Sequence, residues 1–151
     1  VERLARRAAE RGADAVLVAG DVFDAQAISP RTIRRLFNAL APYPGPWVMI
    51  PGNHDAALAE GVWAEARRLA VLPPNLHLLL QPGVLELPAL QLAVLGAPLT
   101  QRHTHDDSTA WFDHAETPAG WRRAPLGGPD ALSVLQPRRD AGRRDPRLRR
   151  G

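Results

Sequence analysis

At 151 residues and 45% hydrophobic content the chain is long enough for one domain with its own core, and no uninterrupted apolar run approaches the ~20 residues that cross a bilayer, so no membrane partner is expected. The absence of cysteine excludes a disulfide framework and a thiolate-held metal and is compatible with the cytoplasm, the location we expect. The net charge of +3 is uneven: residues 122–151 hold nine arginines against Asp130, Asp140 and Asp145, a balance of +6, so the remainder carries −3 and does not read as a basic nucleic-acid-binding body.

No signal-peptide pattern opens the chain. It starts on VERLARRAAERG, which reads as the middle of a helix, and it is therefore expected to continue upstream. In residues 2–11, Leu4, Ala5, Ala8 and Ala9 share one helical face and Gly12 is the stop. Residues 15–19 form a short all-apolar strand of the kind buried on both faces of a parallel sheet. A loop follows, and Ser29-Pro30 supplies an N-cap and a first-turn proline. Ile33, Leu36, Phe37 and Leu40 recur at i, i+3, i+4 and i+7, the pattern of an amphipathic helix. Pro42, Pro44, Gly45 and Pro46 end it, and residues 47–50 are the next strand.

This is a strand-helix-strand unit with a right-handed crossover and parallel strands. Parallel strands end on one edge of the sheet. The loops that follow them, GDVFD (residues 20–24) and PGNHD (residues 51–55), should therefore emerge side by side, where open α/β sheets place their ligands.

Residues 62–69 predict another helix, broken by Pro73-Pro74. Residues 76–80, 84–87 and 90–95 read as strands, the first pair joined by a hairpin turn at Gln81-Pro82-Gly83. Residues 98–107 are a polar loop. Within it His103, His105, Asp106 and Asp107 have ligand-type side chains, but an unstructured polar loop is the expectation. Asp107 or Ser108 caps a short helix through Phe112. From Trp121 on, Arg, Pro and Gly clusters replace any sustained period. The domain is set at residues 1–120, and residues 121–151 are expected to be a disordered tail, with a basic arm for nucleic acid as its functional alternative and an out-of-frame read of a GC-rich gene as the favoured origin.

The two loops carry the chemistry. Asp21 is a hard oxygen ligand able to bridge two divalent cations, and Asn53 offers a neutral carbonyl oxygen. Two such cations clamp a phosphate ester and make a bridging water the nucleophile. His54 would face the substrate and donate a hydrogen bond or a proton to the phosphoryl group. Asp55 is expected to hold His54 in one tautomer from behind. Gly20 and Gly52 allow sharp turns, and Asp24 is expected to accept backbone hydrogen bonds. Each loop alone is commonly a capped turn; both on one edge of a parallel unit make a stronger case.

Gly20-Asp21-Val22-Phe23-Asp24 followed by Gly52-Asn53-His54-Asp55 resembles two signature blocks of the calcineurin-like metallophosphoesterases. The wider segments DAVLVAGDVFD and VMIPGNHD are most similar to the DNA-repair exonuclease branch, the SbcD/YhaO type. The resemblance spans about residues 1–120. It implies an α/β fold, a β-sandwich flanked by helices (αββα) that begins with a parallel βαβ unit. It also implies two divalent cations, manganese foremost. Asp21 matches the bridging aspartate, Asn53 a ligand of the second metal and His54 the catalytic histidine. DNA or another phosphoester is the implied substrate, and a partner subunit is expected as in repair nucleases.

The family's earlier D-x-H block and later G-H-x-H block have no counterpart in these residues. The chain is accordingly expected to be a fragment with weak or no activity. Two alternatives stand beside exonuclease action: a nucleotide or phosphoprotein phosphoesterase of the same family, and a non-catalytic polyanion-binding module.

Overall fold

A computed structural model of the chain describes residues 1–101, 107–127 and 131–135. The predicted βαβ unit is present: helix α1 (Glu2–Glu10) leads into strand β1 (Ala15–Ala19), helix α2 (Pro30–Asn38) and strand β2 (Trp47–Ile50). The start of α2 is fixed as its sequence requires. Pro30 occupies the first turn, and the Ser29 hydroxyl accepts from the Thr32 N–H at 3.2 Å. Helix α3 (Val62–Arg68) follows, then strand β3 (Leu76–Leu78). Strands β1, β2 and β3 run parallel, with Ala19 opposite Ile50 and Trp47 opposite Leu76.

Why β1 and β2 are apolar throughout is plain from their two faces. Val16, Trp47 and Met49 meet the helical layer through Ala5, Ala8, Ile33, Phe37, Trp63 and Ala66. The alternate residues Leu17, Ala19, Val48 and Ile50 point the other way, onto Leu92, Val94, Ala124 and Leu126 of a second sheet. Phe23, at the end of the first motif loop, stands edge-on to both Phe37 and Trp63, with ring centroids 6.3 and 5.4 Å away. The motif loop is thus nailed to the helical core by its own aromatic residue. Each fully buried side chain of this size stabilises the fold by about 1.5–3 kcal/mol.

The second sheet contains β4 (Gly83–Leu87), β5 (Leu92–Gly96) and β6 (Arg122–Leu126), in that order. Its first pair is antiparallel and its second parallel. The layers are helices, sheet, sheet, consistent with part of the expected sandwich flanked by helices.

Two expectations are corrected here. Gln81-Pro82-Gly83 does not close a hairpin. Strand β3 belongs to the first sheet and β4 to the second, so this turn carries the chain between layers. The hairpin lies one connection later, between β4 and β5, where Gln91 takes the left-handed conformation at φ 47°. Secondly, two strands lie after Trp121, where a disordered tail was expected. In β6 Ala124 and Leu126 are buried while Arg123 and Pro125 face solvent, a half-buried alternation masked by the polar composition. Arg122 anchors its start with a 2.7 Å ion pair to Asp14. Strand β7 (Ala131–Leu135) then pairs antiparallel with the outer edge of β1. The Asp14 N–H donates to the Leu135 carbonyl at 2.9 Å. Strands β6 and β7 thus lie past the boundary expected at residue 120; residues 136–151 lie outside the described residues.

Candidate metal and phosphate site

Loops 20–24 and 51–55 leave the carboxyl ends of β1 and β2, which the ladder holds in register up to Ala19 and Ile50. The backbone turns sharply at once. Gly20 has φ 87° and Asp21 φ 51°, both left-handed. Aspartate tolerates this region better than most residues, and strain of this kind concentrates where side chains must be aimed. The loops also touch. A Cβ built on Gly20 would stand 2.5 Å from Gly52 Cα and 2.7 Å from Gly52 N, nearer than atoms can pack. A Cβ on Gly52 would collide with the backbone N and carboxylate of Asp21. Glycine is needed at both positions because one backbone lies directly against the other.

Asp55 fastens the two loops. It is fully buried, and its carboxylate accepts from Gly52 N at 2.6 Å, Val22 N at 2.8 Å, Asp21 N at 3.1 Å and Phe23 N at 3.2 Å. Burial raises its pKa, and the four backbone N–H groups pull the other way. The role expected of Asp55, behind the His54 ring, is not what its oxygens do; backbone donors of both loops use them. The backbone-accepting role expected of Asp24 thus falls to Asp55. Asp24 is exposed and makes no side-chain hydrogen bond among the described residues.

The acid beside His54 is Asp21. Its Oδ1 accepts from the His54 backbone N–H at 3.0 Å, and its Oδ2 lies 3.7 Å from His54 Nδ1. Asn53 completes the group. With its amide nitrogen turned inward it donates to Asp21 Oδ2 at 2.9 Å and Oδ1 at 3.0 Å, the orientation the hydrogen-bond network favours. Turned by half a rotation, it would aim its carbonyl oxygen at the same carboxylate. Acceptors would then face only acceptors, which is stable with a cation between them. Asp21 and Asn53 thus suit the oxygen-donor half of a divalent-cation seat.

They do not complete it. Among the described residues no group of three or more His, Asp or Glu is gathered to hold a metal ion. His103, His105 and Asp106 lie outside the described residues. Asp107 is tied to Thr109, accepting from its N–H at 2.9 Å and its hydroxyl at 2.6 Å, which holds its carboxyl below the usual range. His77 sits half-buried on β3, and His114 ends a short 3-10 turn.

If Asn53 is a ligand through its oxygen, Asn53→Asp should strengthen cation binding about tenfold by adding a second carboxylate. It should also destabilise the cation-free protein, since the amide donors to Asp21 are lost. Manganese titration and thermal melts, with and without cation, check both; unchanged affinity would remove Asn53 from the ligand set.

Gln26 escaped the sequence reading. It lies past the motif on an irregular loop, and neither period nor spacing marks it. Its amide reaches His54 O, Ala56 O and Val62 N.

Neither the curated proteins nor the solved structures include a significant match to this chain. A family model does match it, that of the calcineurin-like phosphoesterases, over residues 1–131. That span takes in α1, both motif loops, the second sheet and the first residue of β7, and so runs past the boundary expected at residue 120 to include β6. Divalent metals are typical of these enzymes, and phosphoester hydrolysis is their reaction class. From the aspartate and asparagine at the ends of β1 and β2 to the sandwich behind them, the chain belongs to the calcineurin-like phosphoesterase family.

Proposed function

We propose that the edge formed by Asp21, Asn53 and His54 serves metal-assisted hydrolysis of a phosphodiester, with DNA as substrate and manganese as the preferred cation, in the manner of a repair exonuclease. The carrying observation is the approach of Asn53 and His54, on the second loop, to within 2.9–3.7 Å of the Asp21 carboxylate on the first. The likeness of the wider segments DAVLVAGDVFD and VMIPGNHD to the exonuclease branch supports the choice of substrate.

Asp21 and Asn53 would hold the cation through their oxygens. When bound, such an ion polarises a phosphoryl oxygen and makes water a better nucleophile. The remaining work belongs to this chain's own groups. Asp21 Oδ1 fixes the backbone of His54, so the imidazole leaves the loop at a set angle. With Nδ1 beside Asp21, Nε2 is the nitrogen left to donate to a phosphoryl oxygen as charge builds there. The ring is more than half exposed, so an incoming anion can reach it.

Two protein oxygens hold a divalent ion weakly. Binding at about millimolar concentration is expected, with slow turnover at most. Titrating the 151-residue chain with manganese should give one weak site that Asp21→Ala abolishes. Equal binding by both proteins would overturn the site. Robust manganese-dependent cleavage of an activated diester, lost in Asp21→Ala, would instead overturn the donor count. Parallel assays on single-stranded DNA, a mononucleotide and a phosphopeptide decide the substrate; cleavage of either of the last two without DNA would reject the nuclease reading.

A further inference from the structure

We infer that Gln26 is a positioning residue for His54, an inference that rests on the reading of His54 as the anion-facing group. His54 is held at both of its peptide groups from the first loop region. Its N–H donates to Asp21 Oδ1 at 3.0 Å, and its C=O accepts from Gln26 Nε2 at 3.1 Å. The same Nε2 reaches the Ala56 carbonyl at 3.3 Å. The carbonyl between them, of Asp55, accepts from Trp63 Nε1 at 2.6 Å. Three consecutive carbonyls, from the motif histidine to Ala56, are therefore held by side-chain donors from outside their own loop.

The other end of the Gln26 amide is also used. Its Oε1 accepts from the Val62 N–H at 3.3 Å, at the start of α3. One side chain thus joins the loop after β1, the loop after β2 and the helix that follows. Gly61 is shaped to receive it, since a Cβ there would run into Gln26 Oε1. The arrangement needs a group that donates at one end and accepts at the other, which an amide does and a carboxylate or hydrocarbon of the same length does not. An exposed imidazole loses aim when its backbone drifts. Gln26 restrains that drift on the side that Asp21 does not reach.

The test follows His54 directly. In the whole chain labelled on histidine, the His54 ring resonance is recorded in wild type, Gln26→Met, Gly61→Ala and Trp63→Phe, each titrated with inorganic phosphate. Gln26→Met should shift and broaden the His54 signal, leave those of His77 and His114 in place, and weaken phosphate binding about fivefold, the loss of roughly one hydrogen bond's worth of order. Gly61→Ala, which displaces Gln26 without altering it, should move the signal in the same sense and covers the case in which Gln26→Met does not fold. Trp63→Phe should lower the melting temperature while leaving His54 nearly unmoved. A His54 signal indifferent to Gln26→Met and Gly61→Ala overturns the inference, as does an equal response to Trp63→Phe. If wild-type His54 ignores phosphate, the reading of His54 as the anion-facing group fails, and the ring shifts still decide whether Gln26 positions it.

Discussion

Asp55→Ala should cost the folded state about 4 kcal/mol, a large part of the 5–15 kcal/mol by which domains are stable. The figure comes from the partners left behind, since the carboxylate itself touches no substrate in this arrangement. Its removal strands the N–H groups of Asp21, Val22, Phe23 and Gly52 in a place where the residue has no solvent contact. Each buried donor without a partner costs about 1–3 kcal/mol, reduced where water enters the space. Asp55→Asn separates charge from shape. One oxygen still serves one pair of donors, but the new NH2 meets the other pair, donor against donor. That variant should lose about 2–3 kcal/mol. Urea unfolding followed by tryptophan fluorescence measures both, because Trp63 bonds the Asp55 carbonyl and lies in the helical core. If both variants fall within about 0.5 kcal/mol of wild type, as surface changes do, Asp55 does not clamp the loops.

The acids of the two motifs show what a sequence of this kind reveals and what it hides. That Asp21 and Asn53 would meet was legible, because parallel strands of all-apolar residues must end on one edge and the motif residues follow each strand directly. Which acid would be buried was not. GDVFD and NHD each offer an acid at the end, and nothing in the order of residues distinguishes Asp24 from Asp55. The difference arises from three dimensions: Phe23 is drawn into the core between Phe37 and Trp63, its loop folds over the second loop, and Asp55 lies where four N–H groups converge. Gln26 was invisible for the same reason, since its three partners are 28 to 36 residues away. The strand β6 was hidden by composition. Two arginines and a proline dominate RRAPL, although only Ala124 and Leu126 need to face inward. The turn at Gln81–Gly83 has hairpin chemistry but lies between sheets, because β3 finds a parallel partner in β2. Turn residues specify a reversal of the chain and leave open which strand it will pair with.

Gly20→Ala should combine the loss of stability with the loss of the site. Gly20 adopts φ 87°, which costs an L-residue about 1–2 kcal/mol. Its added methyl would also lie 2.5 Å from Gly52 Cα, and backbone cannot rotate away as a side chain does. Relief requires the ends of β1 and β2 to part, at about 1–3 kcal/mol. Gly12→Ala isolates the first contribution. Gly12 has φ 58° and nothing within 4 Å of an added Cβ, so that variant carries conformational cost alone. Gly20→Ala should therefore be less stable than Gly12→Ala by about 2 kcal/mol. The functional consequence follows from the same displacement. Asp21 and Asn53 sit immediately beyond the two glycines, so parting the strand ends separates the two oxygen donors. Manganese binding should survive in Gly12→Ala and vanish in Gly20→Ala. Were Gly20→Ala to match Gly12→Ala in stability and wild type in manganese affinity, the contact between the loops would not be what assembles the donors. The site would then have to depend on the side-chain hydrogen bonds around Asp55 alone.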